Sequence, residues 1–268
     1  MITIFGTIKL VYTELLLFPF YKRTWISIGY LDILQVYRRS FLGPIWITLS
    51  IAIQAISVTY IYSQLFSSGA GKEYYAYVVC GLIAWTWISS LLTDMGNVFL
   101  AYAGYIKTSN INISQFIWAM AWKHTIIFLH NLVLWFIYFL FGAIVVNVNS
   151  LYILITFPII FLLSIPVIGL LGILFARYRD FSRLVSSMIT LLLIVTPIFW
   201  MSNQLTGVRT LLYKINPFYY LVESLRAPLM GNPISEHTWW ALLIMFLISW
   251  IICASIYICK LKKLVFWI

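Results

Sequence analysis

Charge is what this sequence has least of. Only 7 of its 268 residues are acidic, acids and bases together make 9% of the chain, and histidine occurs three times. A soluble domain carries roughly 25% charged residues, because its surface must stay wet and unaggregated. So thin a supply excludes a soluble enzyme and a disordered chain. Cysteine is scarce as well. Cys80, Cys253 and Cys259 show neither metal-ligand spacing nor an even disulfide framework, and they read as small apolar fillers. No G-x-x-x-x-G-K-[ST] loop is present: Glu73 follows Gly71-Lys72, and Phe66 stands where the first glycine belongs. The chain therefore cannot hold ATP by that route. A cleavable leader is not expected either, since Lys9 and Glu14 interrupt the first apolar stretch and no small-residue cleavage pattern follows.

What is present is apolar. Hydrophobic residues make 63% of the chain, with 12 Trp, 18 Tyr and 19 Phe among them. A membrane-spanning helix needs about 20 such residues. Six stretches qualify, at about 44–66, 75–99, 115–145, 151–176, 184–200 and 238–259. The expected fold is an all-α polytopic membrane protein forming a single transmembrane domain over 1–268. Residues 1–40 form a cytoplasmic and interfacial segment, 41–260 the six-span core and 261–268 a cytoplasmic tail. Two segments are not expected to span. Residues 25–39 set Asp32, Gln35 and Arg39 on one stripe among apolar neighbours, the pattern of an amphipathic helix in the membrane interface. Residues 200–237 are too long for a turn and too apolar for a free loop. Short re-entrant helices there need protein or water around their backbone.

The basic residues choose an orientation. With six spans both termini share a side, and the positive-inside rule makes that side cytoplasmic. Lys9, Lys22, Arg23, Arg38, Arg39, Lys107, Lys123, Arg177, Arg179, Arg183, Lys260, Lys262 and Lys263 then lie inside. Lys72, Arg209, Lys214 and Arg226 lie outside. The formal net charge of +10 is thus membrane topology rather than a nucleic-acid footprint.

Few side chains offer chemistry within the spans. Asp94, Lys123, His124 and His130 are the candidates, and helix rise places Asp94 at the cytoplasmic interface with Lys123 near the same end. They read as interfacial charges that pair more readily than as a proton relay. A membrane glycosyltransferase is an alternative function, but Asp32, Asp94 and Asp180 are isolated from one another in sequence, with no acid pair or metal cluster.

Several short motifs occur in order along the spans. They are Tyr37-Arg38-Arg39-Ser40-Phe41-Leu42-Gly43-Pro44-Ile45-Trp46, Gly81-Leu82-Ile83-Ala84-Trp85, Ala176-Arg177-Tyr178-Arg179-Asp180, Pro197-Ile198-Phe199-Trp200, and Asn216-Pro217 ahead of Arg226. Together they resemble the permease subunits of type-2 ABC exporters for polysaccharide, and most of all the O-antigen permeases. Permeases for capsule, teichoic acid or small molecules are alternatives. The segment after span two departs from the pattern: many relatives carry Lys-Lys and a proline there, whereas this chain has one lysine and no proline.

The resemblance implies a bacterial inner-membrane permease that translocates a lipid-linked polysaccharide and is not itself an enzyme. It implies no cofactor in this chain, ATP and Mg being bound by a partner ABC ATPase present in two copies, and a homodimer of the chain itself. Tyr105, Ile106, Lys107, Thr108, Ser109, Asn110, Ile111 and Asn112 then form an ATPase-coupling segment whose mixed Ile/Asn pattern offers a docking face, or else an ordinary connecting loop. Arg38, Arg39, Arg177, Arg179 and Arg183 meet lipid phosphate, or are plain interfacial anchors. Trp46, Tyr60, Tyr62, Trp85, Trp87 and Tyr102 are candidates to line the sugar path with flat ring faces, or else belong to packing and the interfacial belt.

Overall fold

The computed structural model describes residues 15, 24–43, 45–65, 71–108, 111–264 and 266–268. Ser109 and Asn110 of the predicted coupling segment lie outside the described residues, as do Lys9, Lys22, Arg23, Pro44 and the side chains of Cys259, Lys260, Lys262 and Lys263.

The described chain is helical throughout, with no strand among the described residues. In lipid every backbone N–H and C=O must be satisfied within its own segment, and a helix does this. The helices are α1 (Thr24–Tyr37), α2 (Ile45–Leu65), α3 (Lys72–Asp94), α4 (Val98–Ala101), α5 (Ala103–Thr108), α6 (Ser114–Leu140), α7 (Ile153–Arg177), α8 (Phe181–Val195), α9 (Leu211–Lys214), α10 (Pro217–Leu229) and α11 (Glu236–Leu264). Among the described residues, five stretches are long and apolar enough to cross a membrane: Ile45–Tyr62, Lys72–Thr108, Ser114–Leu140, Val148–Arg177 and Glu236–Ile256.

The expected fifth span, 184–200, is where the fold departs from the sequence reading. Its helix α8 has 15 residues, about 22 Å at 1.5 Å per residue, against a hydrocarbon core of about 30 Å. Pro197 is the cause. It lacks an N–H and disfavours helical backbone in the residue before it, and Thr196 is accordingly extended at φ −78, ψ 132. The chain nevertheless crosses here. Tyr152 and Trp239, at the starts of α7 and α11, have ring centroids 6.1 Å apart. Arg177, at the end of α7, sits 5.2 Å from the ring of Trp267 just beyond α11. The two helices therefore run parallel, and residues 178–235 must return the chain across the bundle between them.

Residues 196–235, the dipping segment, take the remainder of that return. After α8 the backbone lies against α3, with the Tyr74 hydroxyl donating to the Phe199 carbonyl (2.5 Å) and the Tyr77 hydroxyl to the Pro197 carbonyl (3.1 Å). Asn216 caps α10 by accepting from the Phe218 N–H, and its amide donates to Thr196 Oγ1 (2.9 Å each). Pro217 follows at the first helical position, where its missing N–H costs nothing. Phe218 meets Trp85, well along α3. At its far end α10 is held where α6 finishes: Trp135 Nε1 donates to the Leu229 carbonyl (2.7 Å) and the Asn147 amide to the Gly231 carbonyl (2.8 Å). Its backbone is thus covered by protein, as membrane depth demands.

α3 is the hub, packed by α2, α6, α7, α8 and α10. Lipid tails are as apolar as leucine, so helices associate through close packing and small residues rather than through the hydrophobic effect. A Cβ on Gly96 would enter the ring of Phe175. A Cβ on Gly172 would lie 2.6 Å from Val98 Cγ1, and one on Gly29 2.5 Å from the Ala119 carbonyl. Trp87, Phe128 and Phe157 join α3, α6 and α7 in a three-ring cluster with centroids 5.1–5.2 Å apart.

α1 matches the expected extent of the interfacial helix but not its expected facing. Gly29 and Ile33 are buried, Trp25 packs on Trp118 and Trp122 of α6, and Asp32 accepts from the Tyr102 hydroxyl. Ile26, Tyr30, Leu31 and Leu34 are exposed instead. Of the polar stripe, Gln35 and Arg39 are exposed, while Asp32 is half-buried with the Tyr102 hydroxyl as its partner.

Candidate functional site

The α1–bundle contact leaves a cleft of about 570 Å³ between α1, α3, α5 and α6. Asp32, Gln35, Asp94, Asn97, Tyr102 and Lys123 supply its polar wall. Asp32 and Asp94, isolated in sequence, thus share one cavity. Both are already engaged. Lys123 Nζ donates to Asp94 Oδ2 at 2.5 Å, and His124 Nε2 lies 3.1 Å from the same oxygen. His124 Nδ1 lies 3.0 Å from Ser90 Oγ. Ser90 Oγ also donates to the Trp87 carbonyl at 3.0 Å, which ties the imidazole to the α3 backbone. The order Ser–His–Asp invites a hydrolase reading, yet the ring nitrogens are used the opposite way round from a hydrolytic triad. Lys123 also neutralises the acid, and Ser90 does not line the cleft. The arrangement ties α3 to α6.

The predicted coupling segment divides into two faces. Ile106, Ile111 and Ile113 are half-buried and pack on one side against the core. Asn112 is half-buried as well, and its side chain accepts from the Ser114 N–H at 3.0 Å. The exposed face is Gly104, Tyr105, Lys107 and Thr108, with Tyr105 61% exposed. Lys107 Nζ donates to the Ile268 carbonyl at 2.6 Å, which brings α5 to the same end of the bundle as Arg177 and Trp267.

The predicted arginines also gather at this end. Arg177, Arg179 and Arg183 are exposed around the turn from α7 to α8. Arg38 and Arg39 are exposed just past Val36 at the cleft's edge, Arg39 at φ 71, a left-handed backbone that glycine usually occupies.

The six predicted aromatics separate by burial. Trp87 is 1% exposed within its ring cluster, Trp85 is 5% exposed against Phe218, and Tyr102 is 8% exposed, stacked on Phe116 and bonded to Asp32. Trp85 and Trp87 belong to the core, and Tyr102 is buried but still contributes to the wall of the α1 cleft. Trp46 and Tyr60 are exposed, and Tyr62 is half-buried beside Tyr74.

Two features went unnoticed in the sequence. The first is Arg226, assigned above to an outer loop. It is 1% exposed. Its Nη1 donates to the Pro197 carbonyl at 2.5 Å, its Nε and Nη2 donate to Glu223 Oε2, and its guanidinium lies 3.8 Å from the centroid of the Tyr77 ring. A buried guanidinium needs such partners, and together they fasten the dipping segment to α3. The Glu-x-x-Arg spacing, one turn of helix, was the available signal.

The second is a polar face. α2 exposes Ser50, Gln54 and Ser57, and α8 exposes Arg183, Ser187 and Thr190. Each set follows helical i, i+4, i+7 spacing. Both helices pack on α3, α2 also touching α6 and α8 touching α7. On α3 itself Thr86, Ser89 and Thr93 are exposed or half-exposed, as is Asn97 just beyond its end. These positions, on α3 and on two helices packed against it, are the exposed polar side chains, here a polar strip, of an otherwise apolar bundle.

Comparison with curated proteins returns no match. The profile of the ABC-2 type transporter family matches residues 23–230, a stretch that takes in α1, the hub, the polar strip and the Arg226 cluster. The chain belongs to the ABC-2 type transporter family and is the membrane component of such a transporter.

Proposed function

We propose that this chain is half of an export channel for a lipid-linked polysaccharide. Two copies pair about a two-fold axis in a bacterial cytoplasmic membrane, and each works with one copy of an ABC ATPase. The polar strip on α2, α3 and α8 carries the reading. The hydroxyls of Ser50, Thr86, Thr93 and Ser187 donate to their own helix backbone, but the Gln54 amide and the Arg183 guanidinium are costly against hydrocarbon, so the strip calls for water or another polar surface. Closed two-fold symmetry supplies both, by turning two half-grooves into one channel. Hydroxyls and amides of this kind suit sugar hydroxyls, and Trp46, Tyr60 and Tyr62 add ring faces along which a sugar slides.

The end holding Arg38, Arg39, Lys107, Arg177, Arg179 and Arg183 is the cytoplasmic one by the positive-inside rule. The exposed face of α5 then meets a groove of the ATPase, with Tyr105 as its anchor. The cleft beside α1 receives the lipid end of the substrate, where Arg38 and Arg39 are apt phosphate partners. A small-molecule cargo is the competing reading.

The test is reconstitution of the chain in nanodiscs with the ATPase encoded beside it, scoring ATP hydrolysis with and without lipid-linked glycan. Stimulation is expected in the wild type. Tyr105→Asp should lower it at least about tenfold, the effect of ~1.4 kcal/mol at an interface anchor. Absence of a stable complex refutes the partner. Intact surface polysaccharide in cells lacking the gene refutes the cargo.

A further inference from the structure

A second cavity, also of about 570 Å³, opens between α7 and α11 at the arginine-rich end. Its walls are two facing stripes. Leu170 and Leu174 lie one turn apart on α7, and Ile252 and Ile256 lie one turn apart on α11. From Leu170 to Arg177 the groove follows roughly 10 Å of helix, long enough to take much of one leaflet's acyl chain. At its mouth stands Arg177. This guanidinium has no acidic partner among the described residues. It rests instead between two rings, 5.8 Å from the Tyr178 centroid and 5.2 Å from that of Trp267.

Every apolar groove in a bilayer is bathed in lipid, so the question is which lipid this one selects. The charge around it answers. Arg177, Arg179 and Arg183 face a single acid, Asp180, in this turn, and all four are exposed. An excess of positive charge at headgroup level attracts anionic lipid. The two flanking rings hold the guanidinium plane in place at the depth where tryptophan and tyrosine ordinarily lie. An arginine held in this way offers its donor fork to a phosphate at little further ordering cost.

We propose that the α7–α11 groove is a binding site for one anionic phospholipid, with the phosphate on Arg177 and an acyl chain between Leu170, Leu174, Ile252 and Ile256. The site is separate from the α1 cleft and from the polar strip, and it does not rest on the assigned cargo. Its occupant is felt beyond the groove. Trp267, which forms its rim, adjoins Ile268, and the Ile268 carbonyl holds Lys107 of α5. A lipid phosphate on Arg177 therefore bears on the same tail that fastens the exposed helix at this end.

Native mass spectrometry of the purified full chain tests this, with palmitoyl-oleoyl phosphatidylglycerol and the matching phosphatidylcholine added at equal ratio. Wild type should retain phosphatidylglycerol preferentially. Arg177→Gln should weaken that retention roughly fivefold, the effect of one basic contact at an anionic surface. Arg179→Gln should not match it. Ile252→Trp, which fills the groove and leaves Arg177 in place, should also lose the lipid. Equal retention of both lipids, an unchanged Arg177→Gln, or retention by Ile252→Trp each overturns the proposal. So does displacement of the lipid by inorganic phosphate, which would mark a free-anion site. Unchanged melting temperatures of the variants in lipid-free detergent establish that they fold.

Discussion

α3 and α8 follow opposite rules within one bundle. From Ala76 to Leu91 α3 is buried at almost every position, whereas no residue of α8 is buried. α3 has helices on most of its circumference and gains stability from ring stacking and glycine-scale contacts. α8 packs on α3 and α7 with Val185, Ile189, Leu192 and Leu193 half-buried, and apart from Ser182 its other positions are exposed. The contrast separates what holds the bundle together from what the bundle offers outward. Side chains that the sequence marks as special, such as Trp85 and Trp87, belong to the first class. Ordinary residues such as Ser187 and Thr190 belong to the second.

That division can be broken by substitution. The largest effect should come from Trp87→Ala, which removes the ring shared with Phe128 and Phe157. A loss of about 3–5 kcal/mol, as for large-to-small core changes, should appear as a much lower midpoint of unfolding in detergent. Gly96→Ala should follow at about 1–3 kcal/mol, because the new methyl meets Phe175 and the packed ring has to move. Thr190→Leu should shift the same midpoint by less than about 0.5 kcal/mol, yet lower transport in the reconstituted system. A stability loss in Thr190→Leu equal to that of Gly96→Ala would make α8 part of the core and end the comparison.

Much of the fold was legible because hydropathy and helix length are set by the bilayer. The ranges of α2, α3, α6, α7 and α11 follow from apolar runs and the polar breaks between them. The shortness of α8 was also written in the chain, in Thr196-Pro197, but a proline near the end of an apolar run is easily read as part of it. The facing of α1 was not legible. Asp32 on a helical stripe looks solvent-facing until Tyr102, seventy residues away, provides a buried partner. The same holds for Asp94: sequence places it near Lys123 in depth, and only packing puts the two in hydrogen-bond contact. Of the proposed site residues, the arginines at the α7–α8 turn and Tyr105 are exposed as docking or phosphate contacts require. Ile106, Ile111 and Ile113 are half-buried, a facing that a short polar segment has no periodicity long enough to reveal.

The short α8 has a consequence for the membrane itself. Leu184, Met188 and Leu191 form an exposed apolar seam on it, and hydrocarbon lying along that seam meets a helix about 8 Å shorter than the ordinary core thickness. Such mismatch costs fractions of a kcal/mol per Å and is relieved when the bilayer thins locally. The two headgroup layers then approach each other beside the polar strip, and the distance over which a polar group must be kept from hydrocarbon shrinks with them. A bilayer of shorter acyl chains should accommodate this protein with less deformation than a thick, sterol-stiffened one.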